Sequence, residues 1–292
     1  MKKIYTILIL IGLLVLQACN SKNNKKADQK NLNTKTYLGQ KPPGVTPKLF
    51  APEIIKTEFR EAAGVFSPDL KEFYFRRRGG EYKSNALVVV KKEGNEWKES
   101  LIAKRAGEPF ISQDGKTMHL GKRYRERTDG GWSDVINLET PFDKFRIMRL
   151  TVSSNNTYYF DEASESGPLR YSRLVNGEYE EPKTVAIEDI GDWNAHPYIA
   201  PDESYIIWDD QREKGGFGDA DLYISFRKKD GSWGSSINLG DTINSEFAEA
   251  YGSITPDGKY FFFHRGYGGD KADIYWVDAK VVLNLKPKSN QY

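Results

Sequence analysis

Short apolar runs alternate with polar turns along the chain, and this pattern predicts an all-β protein. In each repeat an apolar run enters a Ser/Thr-Pro-Asp-Gly-like phrase and an aromatic run leaves it, as residues 66–69 precede residues 73–75. Pro presets φ in such a turn and Gly or Asn accepts the left-handed conformation, so each phrase is expected to join two strands of a hairpin. The phrase occurs five times, with the anchor residues Asp69, Asp114, Asn155, Asp202 and Asp257.

The spacing of the anchors, 45, 41, 47 and 55 residues, predicts a repeat architecture. A period of roughly 40–50 residues with several short strands per unit is typical of a β-propeller. A third strand is expected at residues 221–226 and 273–277 in the last two repeats. A fourth strand is expected to end the first four repeats, at residues 100–103, 135–138, 184–187 and 237–240.

The last repeat has three strands of its own and needs a fourth. Residues 49–55 precede the first repeat and have a similar pattern, so we expect them to complete the last blade and remove an exposed edge. The prediction is therefore a propeller of five four-stranded blades over residues 36–285, followed by a tail at 286–292. Six blades would result if one spacing hides a degenerate unit.

The beginning of the chain has the pattern of an export signal. Two lysines precede an apolar run at residues 4–16, which is shorter than a membrane-spanning helix. The run ends in LQAC at residues 16–19, which resembles a bacterial lipobox. By that resemblance residues 1–18 are a lipoprotein signal peptide and Cys19 is lipidated. An ordinary secretory signal is the alternative.

Residues 19–35 are rich in Asn and Lys and lack apolar periodicity, which predicts a flexible tether. Acyl chains on Cys19 would then hold the protein at the bacterial outer membrane. An acidic stretch after the lipidated cysteine directs surface display in some bacteria. Here that stretch is basic, so the periplasmic side is favoured over the cell surface. Cys19 is the only cysteine, so no internal disulfide is expected.

Composition narrows the function classes. The 43 Lys and Arg residues nearly balance 41 Asp and Glu residues, and a formal charge of +2 gives no general reason to expect nucleic acid as a partner. We expect a monomer. Aromatic residues at 13% suit sheets and sugar-binding surfaces alike. The sequence has no Gly-x-Ser-x-Gly motif, phosphate loop or dinucleotide fingerprint, so those chemistries lack support.

Polar residues recur at the start of the first strand and after the second strand of each hairpin, which brings them to one end of the ring. Side chains at the mouth of a closed ring commonly form ligand sites. An ordinary solvated rim is the alternative. Six positions before the anchors lie Ala63, Glu108, Arg149, His196 and Tyr251, and eight before lie Glu61, Ala106, Ile147, Asn194 and Glu249. The ends of the second strands are marked by Arg76, Lys122, Asp161, Asp209 and His264, each with polar neighbours.

The phrases at residues 67–69, 200–202 and 255–259 resemble the repeats of TolB-like, PD40-type propellers of bacterial periplasmic proteins. This resemblance covers nearly all of the mature chain and implies the fold rather than the activity. More distantly, the repeats resemble those of oligogalacturonate lyases, whose metal-binding histidine cluster has no residue-by-residue match here. A divalent metal held by His196 and His264 with Asp209 or Glu249 is therefore an alternative that is not favoured.

The mixture of His, Tyr and Arg at the mouth suits β-elimination on uronic-acid-containing oligosaccharides in polysaccharide degradation, by a lyase or a dehydratase. The reaction needs a base, cations that stabilise the intermediate, and an acid for the leaving oxygen. The predicted catalytic residues are His196 or Tyr251 as the base and His264 as the acid. The predicted carboxylate ligands are Arg76, Arg149 and Arg265, and the remaining substrate contacts are Glu108, Asn194, Glu249 and Asp209.

Three other functions stay open. Glycoside hydrolysis could use paired carboxylates among Glu108, Glu249 and Asp209. A non-catalytic TolB-like scaffold would use the mouth to bind an envelope protein or a glycan. A sugar-binding lipoprotein would hold its ligand without turnover. In the β-elimination hypothesis, the residues that could stack on sugar faces are Trp193, Trp208 and Tyr267, with packing between blades as the alternative for Trp208.

Overall fold

The computed structural model describes residues 37–164, 167–212, 214–289 and 292. Contacts divide the chain into two compact units, Met1–Lys41 and Pro42–Tyr292. The described part of the first unit contains a short 3-10 turn at Tyr37–Gly39. The predicted signal peptide, Cys19 and the tether lie outside the described residues. None of the helices in the described part combines the length and apolar character that a membrane span requires.

The second unit is built almost entirely from β-strands, which confirms the predicted all-β class. Among the described residues of this unit there is one short helix, α1 (Lys280–Leu283), which follows the last strand. The strands are β1 (Lys48–Leu49), β2 (Arg60–Phe66), β3 (Glu72–Gly79), β4 (Tyr82–Glu93), β5 (Glu96–Ala103), β6 (Pro109–Ile111), β7 (Thr117–Leu120), β8 (Arg123–Thr128), β9 (Gly131–Trp132), β10 (Ile136–Asn137), β11 (Ile147–Val152), β12 (Tyr158–Glu162), β13 (Leu169–Ser172), β14 (Leu174–Val175), β15 (Glu178–Tyr179), β16 (Lys183–Thr184), β17 (Trp193–Ile199), β18 (Tyr205–Gln211), β19 (Asp221–Phe226), β20 (Ile237–Asn238), β21 (Ala248–Ile254), β22 (Tyr260–Gly268) and β23 (Lys271–Asp278).

These strands group into five antiparallel repeat units, each beginning with one predicted hairpin. Repeat 1 contains β2 to β5, repeat 2 contains β6, β7, β8 and β10, and repeat 3 contains β11, β12, β13 and β16. Repeat 4 contains β17 to β20, and repeat 5 contains β21 to β23. A single parallel pair, Arg60 with Ala272, joins repeats 5 and 1 into one sheet.

The segment before the first repeat supplies the outer strand of repeat 5, as its pattern predicts. Strand β1 pairs antiparallel with β23, with Lys48 opposite Trp276. The strand is shorter than expected because the chain turns after Phe50, where the amides of Ile54 and Ile55 donate to the carbonyl of Ala51. The buried Phe50 ring packs against the rings of Phe66, Phe73, Phe262 and Trp276.

Side-chain hydrogen bonds explain the repeated turn phrase. The Ser67 hydroxyl donates to Asp69 Oδ1 at 2.7 Å, and the Lys71 amide donates to the same oxygen at 3.2 Å. Ser112 and Thr255 bind Asp114 and Asp257 in the same way. Such turns satisfy the backbone locally, which is why the residue types recur. The residue after each anchor has a positive φ, and these residues are Leu70, Gly115, Asn156, Glu203 and Gly258.

Apolar side chains fill the space between neighbouring sheets. Trp208 and Trp276 are among the largest fully buried side chains, and burial of a large apolar side chain stabilises a fold by roughly 1.5–3 kcal/mol. Val282 of α1 belongs to the main core cluster, and Leu285 and Tyr292 pack against it. The C-terminal residues therefore contribute to the core of the second unit.

A bulge interrupts the first strand of four repeats at equivalent positions. The register shifts between Ala62 and Val65 in β2, and the same irregularity occurs in β11, β17 and β21. A bulge re-aims side chains and is common beside functional sites. In β17 and β21 it contains His196 and Tyr251, whose φ angles are 50° and 58°. A non-glycine residue with positive φ costs of the order of 1–3 kcal/mol, so the rest of the fold must stabilise these two positions.

Candidate functional site

Four of the five residues that lie six positions before an anchor meet in one buried group. Glu108, Arg149, His196 and Tyr251 come from four different repeats and are each no more than 8% exposed. The fifth residue, Ala63, is apolar and packs with Ala62, Ala250 and Tyr251. Together with the second-strand residues Arg76, Asp161, Asp209 and His264, these four polar residues are here called the central cluster.

The carboxylate of Glu108 is the hub of the central cluster. Its Oε1 accepts hydrogen bonds from Arg76 Nη1 at 2.8 Å and from the Tyr251 hydroxyl at 3.1 Å. His196 Nε2 lies 3.4 Å from the same oxygen. Burial alone would raise the pKa of Glu108, but the charges of His196 and Arg76 outweigh it and lower the pKa to about 2. Glu108 is therefore ionised at every physiological pH.

Two carboxylates hold the His196 ring. Nδ1 lies 2.9 Å from Asp209 Oδ2, and Nε2 faces Glu108 on the other side. Burial would lower the pKa of His196, but the adjacent Asp209 and Glu108 charges raise it well above the ordinary histidine value. An imidazolium ion, with both nitrogens donating, satisfies this arrangement.

Tyr251 lies between the two histidine rings of the cluster. Its ring centroid is 4.0 Å from that of His196 and 4.7 Å from that of His264. His264 is buried, and its Nδ1 has no hydrogen-bond partner among the described atoms. Burial, together with the positive charges of Arg60 and His196, holds the pKa of His264 well below the ordinary value. The two histidines therefore differ in charge: His196 is cationic and His264 is neutral.

Arg149 is the most deeply buried cation of the cluster, with 1% of its surface exposed. Its guanidinium carbon lies 5.8 Å from the centroid of the Tyr251 ring. Nε and Nη1 have no hydrogen-bond partner among the described atoms. A buried donor left unpaired costs about 1–3 kcal/mol, and more when charged, so this guanidinium is poised to bind an anion.

Two aspartates of the central cluster bind the backbone of neighbouring repeats. Asp161 accepts the peptide N–H groups of Arg149 and His196, at 2.9 and 2.8 Å. Asp209 accepts the peptide N–H of Tyr251 at 3.2 Å. These bonds stabilise the bulged backbone that carries the site. Burial raises the pKa of Asp161 to about 6 despite the opposing charge of His196.

The structure adds two residues, Asp161 and Arg60, that were not predicted from the sequence to bind or react. The place of Asp161 at the end of a second strand could be seen in the sequence. Its role, which is to hold the backbone of Arg149 and His196, could not. Arg60 lies nine positions before Asp69, one residue ahead of the positions counted from the anchors. Its positive charge lowers the pKa of His264 and opposes the rise in the pKa of Tyr251. Spacing alone could not reveal that influence.

Three residues expected in the substrate site form other contacts. Arg265 Nε binds Glu249 Oε1 at 2.5 Å, and Glu249 also accepts the amide and hydroxyl of Ser245. Asn194 accepts a hydrogen bond from the buried Trp208 indole. These side chains complete local loops, so the structure does not bring them into the central cluster.

The Glu249 arrangement is repeated in the first repeat unit. Glu61 accepts the amide and hydroxyl of Thr57 and binds Arg77 Nε at 3.0 Å. Arg77 and Arg265 each also donate to a backbone carbonyl 22 residues away. Recurrence at two equivalent positions indicates a structural element of the repeat rather than a ligand contact.

The proposed sugar-stacking residues lie outside the cluster as well. The Tyr267 hydroxyl lies 2.7 Å from the Tyr275 hydroxyl, and its ring packs edge-on to Phe247. Trp193 is half-buried at the start of β17. His119 lies in β7 among aromatic rings, 5.3 Å from that of Tyr158, as a structural residue would.

Within the described ranges, no group of three or more His, Cys, Asp or Glu side chains has an arrangement suited to hold a metal ion. The acidic groups nearest the histidines instead accept hydrogen bonds from protein N–H and O–H donors. Glu108 binds Arg76 and Tyr251, and Asp209 binds His196. The chemistry that these residues offer is anion binding and proton transfer.

No protein-family model matches the chain, and no curated protein matches it. Solved structures do share its fold. The catalytic domain of a GH62 alpha-L-arabinofuranosidase from Coprinopsis cinerea is similar with a TM-score of 0.50 and 9% identity, covering 80% of this chain and 94% of that chain. A gluconolactonase from Xanthomonas campestris has a TM-score of 0.50 and 7% identity, covering 81% and 97%.

TolB from Acinetobacter baumannii is also similar, with a TM-score of 0.47 and 13% identity over 81% of this chain. This chain spans 56% of the length of that TolB. At these identities the comparisons show the fold alone. The chain therefore has an all-β, propeller-like fold, as its repeats predict.

Proposed function

We propose that the protein acts on uronic-acid-containing oligosaccharides and cleaves them by β-elimination at the central cluster. The observation that carries this proposal is the buried Arg149 guanidinium, which has two unpaired donors and lies over the Tyr251 ring, with the neutral His264 ring next to Tyr251. An anion-binding donor, a proton acceptor and a proton donor are the groups that the reaction needs.

The distribution of unpaired polar atoms favours a ligand site over a purely structural hub. Eight buried side-chain nitrogen or oxygen atoms of the described residues have no hydrogen-bond partner, and five of them belong to the central cluster. A structural hub would be expected to satisfy its own members, because unmade buried hydrogen bonds are costly. The five atoms belong to Arg76, Glu108, Arg149 and His264.

The protonation states change the catalytic roles expected from the sequence, because they favour His264 as the base and Tyr251 as the acid. His196 carries a proton on each nitrogen and faces a carboxylate on both sides, so it cannot accept another proton. His264 is neutral and its Nδ1 is unpaired, so it suits the role of base. Burial and the Glu108 charge raise the pKa of Tyr251, which keeps its hydroxyl protonated and able to act as the acid.

In the proposed step His264 accepts the proton from the carbon that bears the carboxylate, and the C–H electron pair forms the new C=C bond. The neighbouring C–O bond breaks, and its oxygen leaves with the bonding pair and takes a proton from Tyr251. The leaving group is a sugar in a lyase and water in a dehydratase. Arg149 and Arg76 stabilise the charge that develops on the carboxylate. A proton then passes from His264 back to Tyr251, because the rings of these two residues are adjacent.

The cellular setting is part of the proposal and rests on the sequence. Lipidation at Cys19 would place the protein at the outer membrane, on its periplasmic side, where acidic oligosaccharides would be its substrate. A monomer suffices, because one chain supplies every residue of the central cluster. The fold likeness to an arabinofuranosidase supports carbohydrate as a substrate class, although one fold hosts many functions and the site must carry the proposal.

The test is the ultraviolet absorbance of the unsaturated product after mixing the purified protein with a panel of uronic-acid oligosaccharides. His264→Gln should abolish turnover. The control variant His119→Gln changes a buried histidine that lies outside the cluster, and it should retain turnover. New reducing ends without the absorbance would support hydrolysis by carboxylates and overturn the elimination. No reaction with any panel member, together with one stable envelope partner, would support the scaffold function instead.

A further inference from the structure

A cavity of about 280 Å³ lies between the ends of the first strands of four repeats, beside the repeat turns. Strands β2, β6, β17 and β21 each contribute their last residues to its wall. We call it the turn cavity. Among the described residues that line it, none belongs to the central cluster, so the turn cavity is a separate site.

The repeat phrase forms the mouth of the turn cavity. One residue directly precedes the anchor in each phrase, and four of these five residues line the cavity, namely Pro68, Gln113, Pro201 and Pro256. The fifth, Ser154, holds two of the others in place. Its hydroxyl donates to Gln113 Oε1 at 2.8 Å, and its amide donates to the Pro201 carbonyl at 2.7 Å. The turns that mark the repeats therefore also build one opening.

The wall below this mouth is mainly aromatic. The Phe66 ring lies 4.7 Å from the Phe73 ring and 5.8 Å from the Phe262 ring, centroid to centroid, at interplanar angles of 57° and 80°. Phe110 of repeat 2 and Tyr198 of repeat 4 line the cavity as well, and all five side chains are buried. Aromatic rings prefer offset or edge-to-face contacts with one another, so this wall favours a further ring as the occupant.

No residue in the described lining of the turn cavity carries a charge. The polar side chains that line it are all neutral, and they belong to Gln113, Tyr198, Ser253 and Thr255. Two of their hydroxyls are already used, because Tyr198 donates to the Ile254 carbonyl and Thr255 donates to Asp257. A charge buried without a partner is far more costly than a neutral ring, so this lining disfavours ionic ligands.

We propose that the turn cavity binds a small uncharged aromatic molecule. An apolar cavity of roughly 150 Å³ stays dry and holds benzene. A volume of about 280 Å³ therefore has room for a substituted six-membered ring. The inference goes beyond the proposed function, because it concerns a different cavity and a ligand that has no carboxylate.

Isothermal titration calorimetry with toluene and with N-methylpyridinium tests this proposal, because the two probes have the same shape and differ in charge. Toluene should bind more tightly by about tenfold or more, and it should raise the melting temperature of the protein. Equal or tighter binding of N-methylpyridinium would indicate a cation site formed by aromatic faces and would overturn the proposal. Failure of toluene to bind would overturn it as well.

Three single variants locate the binding site. Gln113→Trp places a bulky ring at the exposed mouth of the turn cavity, and the control Gln211→Trp places the same ring at an exposed position at the far end of β18. Gln113→Ala removes the hydrogen bond to Ser154 but leaves the mouth open. Circular dichroism would establish that each variant is folded.

Gln113→Trp should weaken toluene binding by about tenfold, whereas Gln211→Trp and Gln113→Ala should bind toluene as the unaltered protein does. Equal affinities of folded Gln113→Trp and Gln211→Trp for toluene would show that the ligand binds elsewhere and would overturn the assignment to the turn cavity.

Discussion

The Tyr251 hydroxyl donates a hydrogen bond to Glu108 across 143 positions of the chain, at 3.1 Å. Strands from repeats 2 and 5 meet there, and the bond joins the proposed acid of the reaction to the carboxylate hub of the cluster. Glu108 keeps Arg76 and His196 as partners when this one bond is lost. Stability and turnover should therefore respond differently to its removal.

We expect Tyr251→Phe to abolish elimination while lowering the free energy of unfolding by only about 1 kcal/mol, the net value of one hydrogen bond. The measurement is turnover of uronic-acid oligosaccharides together with denaturant unfolding. Tyr267→Phe is the matched control, because it removes a hydroxyl paired with Tyr275 outside the cluster. Full turnover in Tyr251→Phe would remove the tyrosine from the mechanism.

Arg265→Met should destabilise the fold without abolishing turnover by the protein that remains folded. Glu249 is fully buried and Arg265 is partly buried, so loss of the arginine leaves a buried carboxylate uncompensated at a cost of about 3–5 kcal/mol. Glu249→Gln combined with Arg265→Met should recover part of the loss. A specific loss of substrate affinity with unchanged unfolding would instead restore Arg265 to the substrate site.

The pH dependence of turnover should reflect the low pKa of His264. A neutral base is required, so the rate should fall on the acidic side only well below the ordinary histidine value of about 6.5. The measurement is kcat/KM against pH across the acidic range. A fall centred at or above the ordinary value would show that a different group acts as the base.

His119 should make the fold sensitive to acid. Burial lowers its pKa to about 4, so the unfolded chain takes up this proton at about pH 6.5 while the folded chain does not. Stability is therefore full above that pH and is lost as pH falls from 6.5 to 4, by about 3 kcal/mol in total. His119→Leu should unfold with a smaller pH dependence in this window. Identical slopes for the variant and the unaltered protein would contradict this account.

The repeat phrase made the architecture predictable because its turn chemistry is local. The Asp and Ser/Thr side chains bind the backbone within a few residues, so their types and spacing mark each hairpin. The pairing of β1 with β23 followed from the count of strands in the last repeat. Counting six positions before each anchor named four residues that the structure brings together, since equivalent positions of first strands converge in a ring.

The details of the site depend on contacts that spacing does not encode. Glu249 lies two positions from the bulge, yet its carboxylate turns back to Ser245 and Arg265. The charges of His196 and His264 are set by neighbours from other repeats and by burial. The choice of His264 rather than His196 as the base could therefore be made only once the cluster was assembled.

The most direct measurement is the affinity of a substrate oligosaccharide, an oligogalacturonate, for the unaltered protein and for the Arg149→Met variant. Arg173→Met is the control, because Arg173 is an exposed arginine. Circular dichroism would establish that each variant is folded. The account predicts that Arg149→Met weakens binding about a hundredfold, corresponding to roughly 3 kcal/mol for two charge-assisted hydrogen bonds, and that Arg173→Met has no effect. Equal affinity of the unaltered protein and a folded Arg149→Met variant would contradict a carboxylate-binding centre.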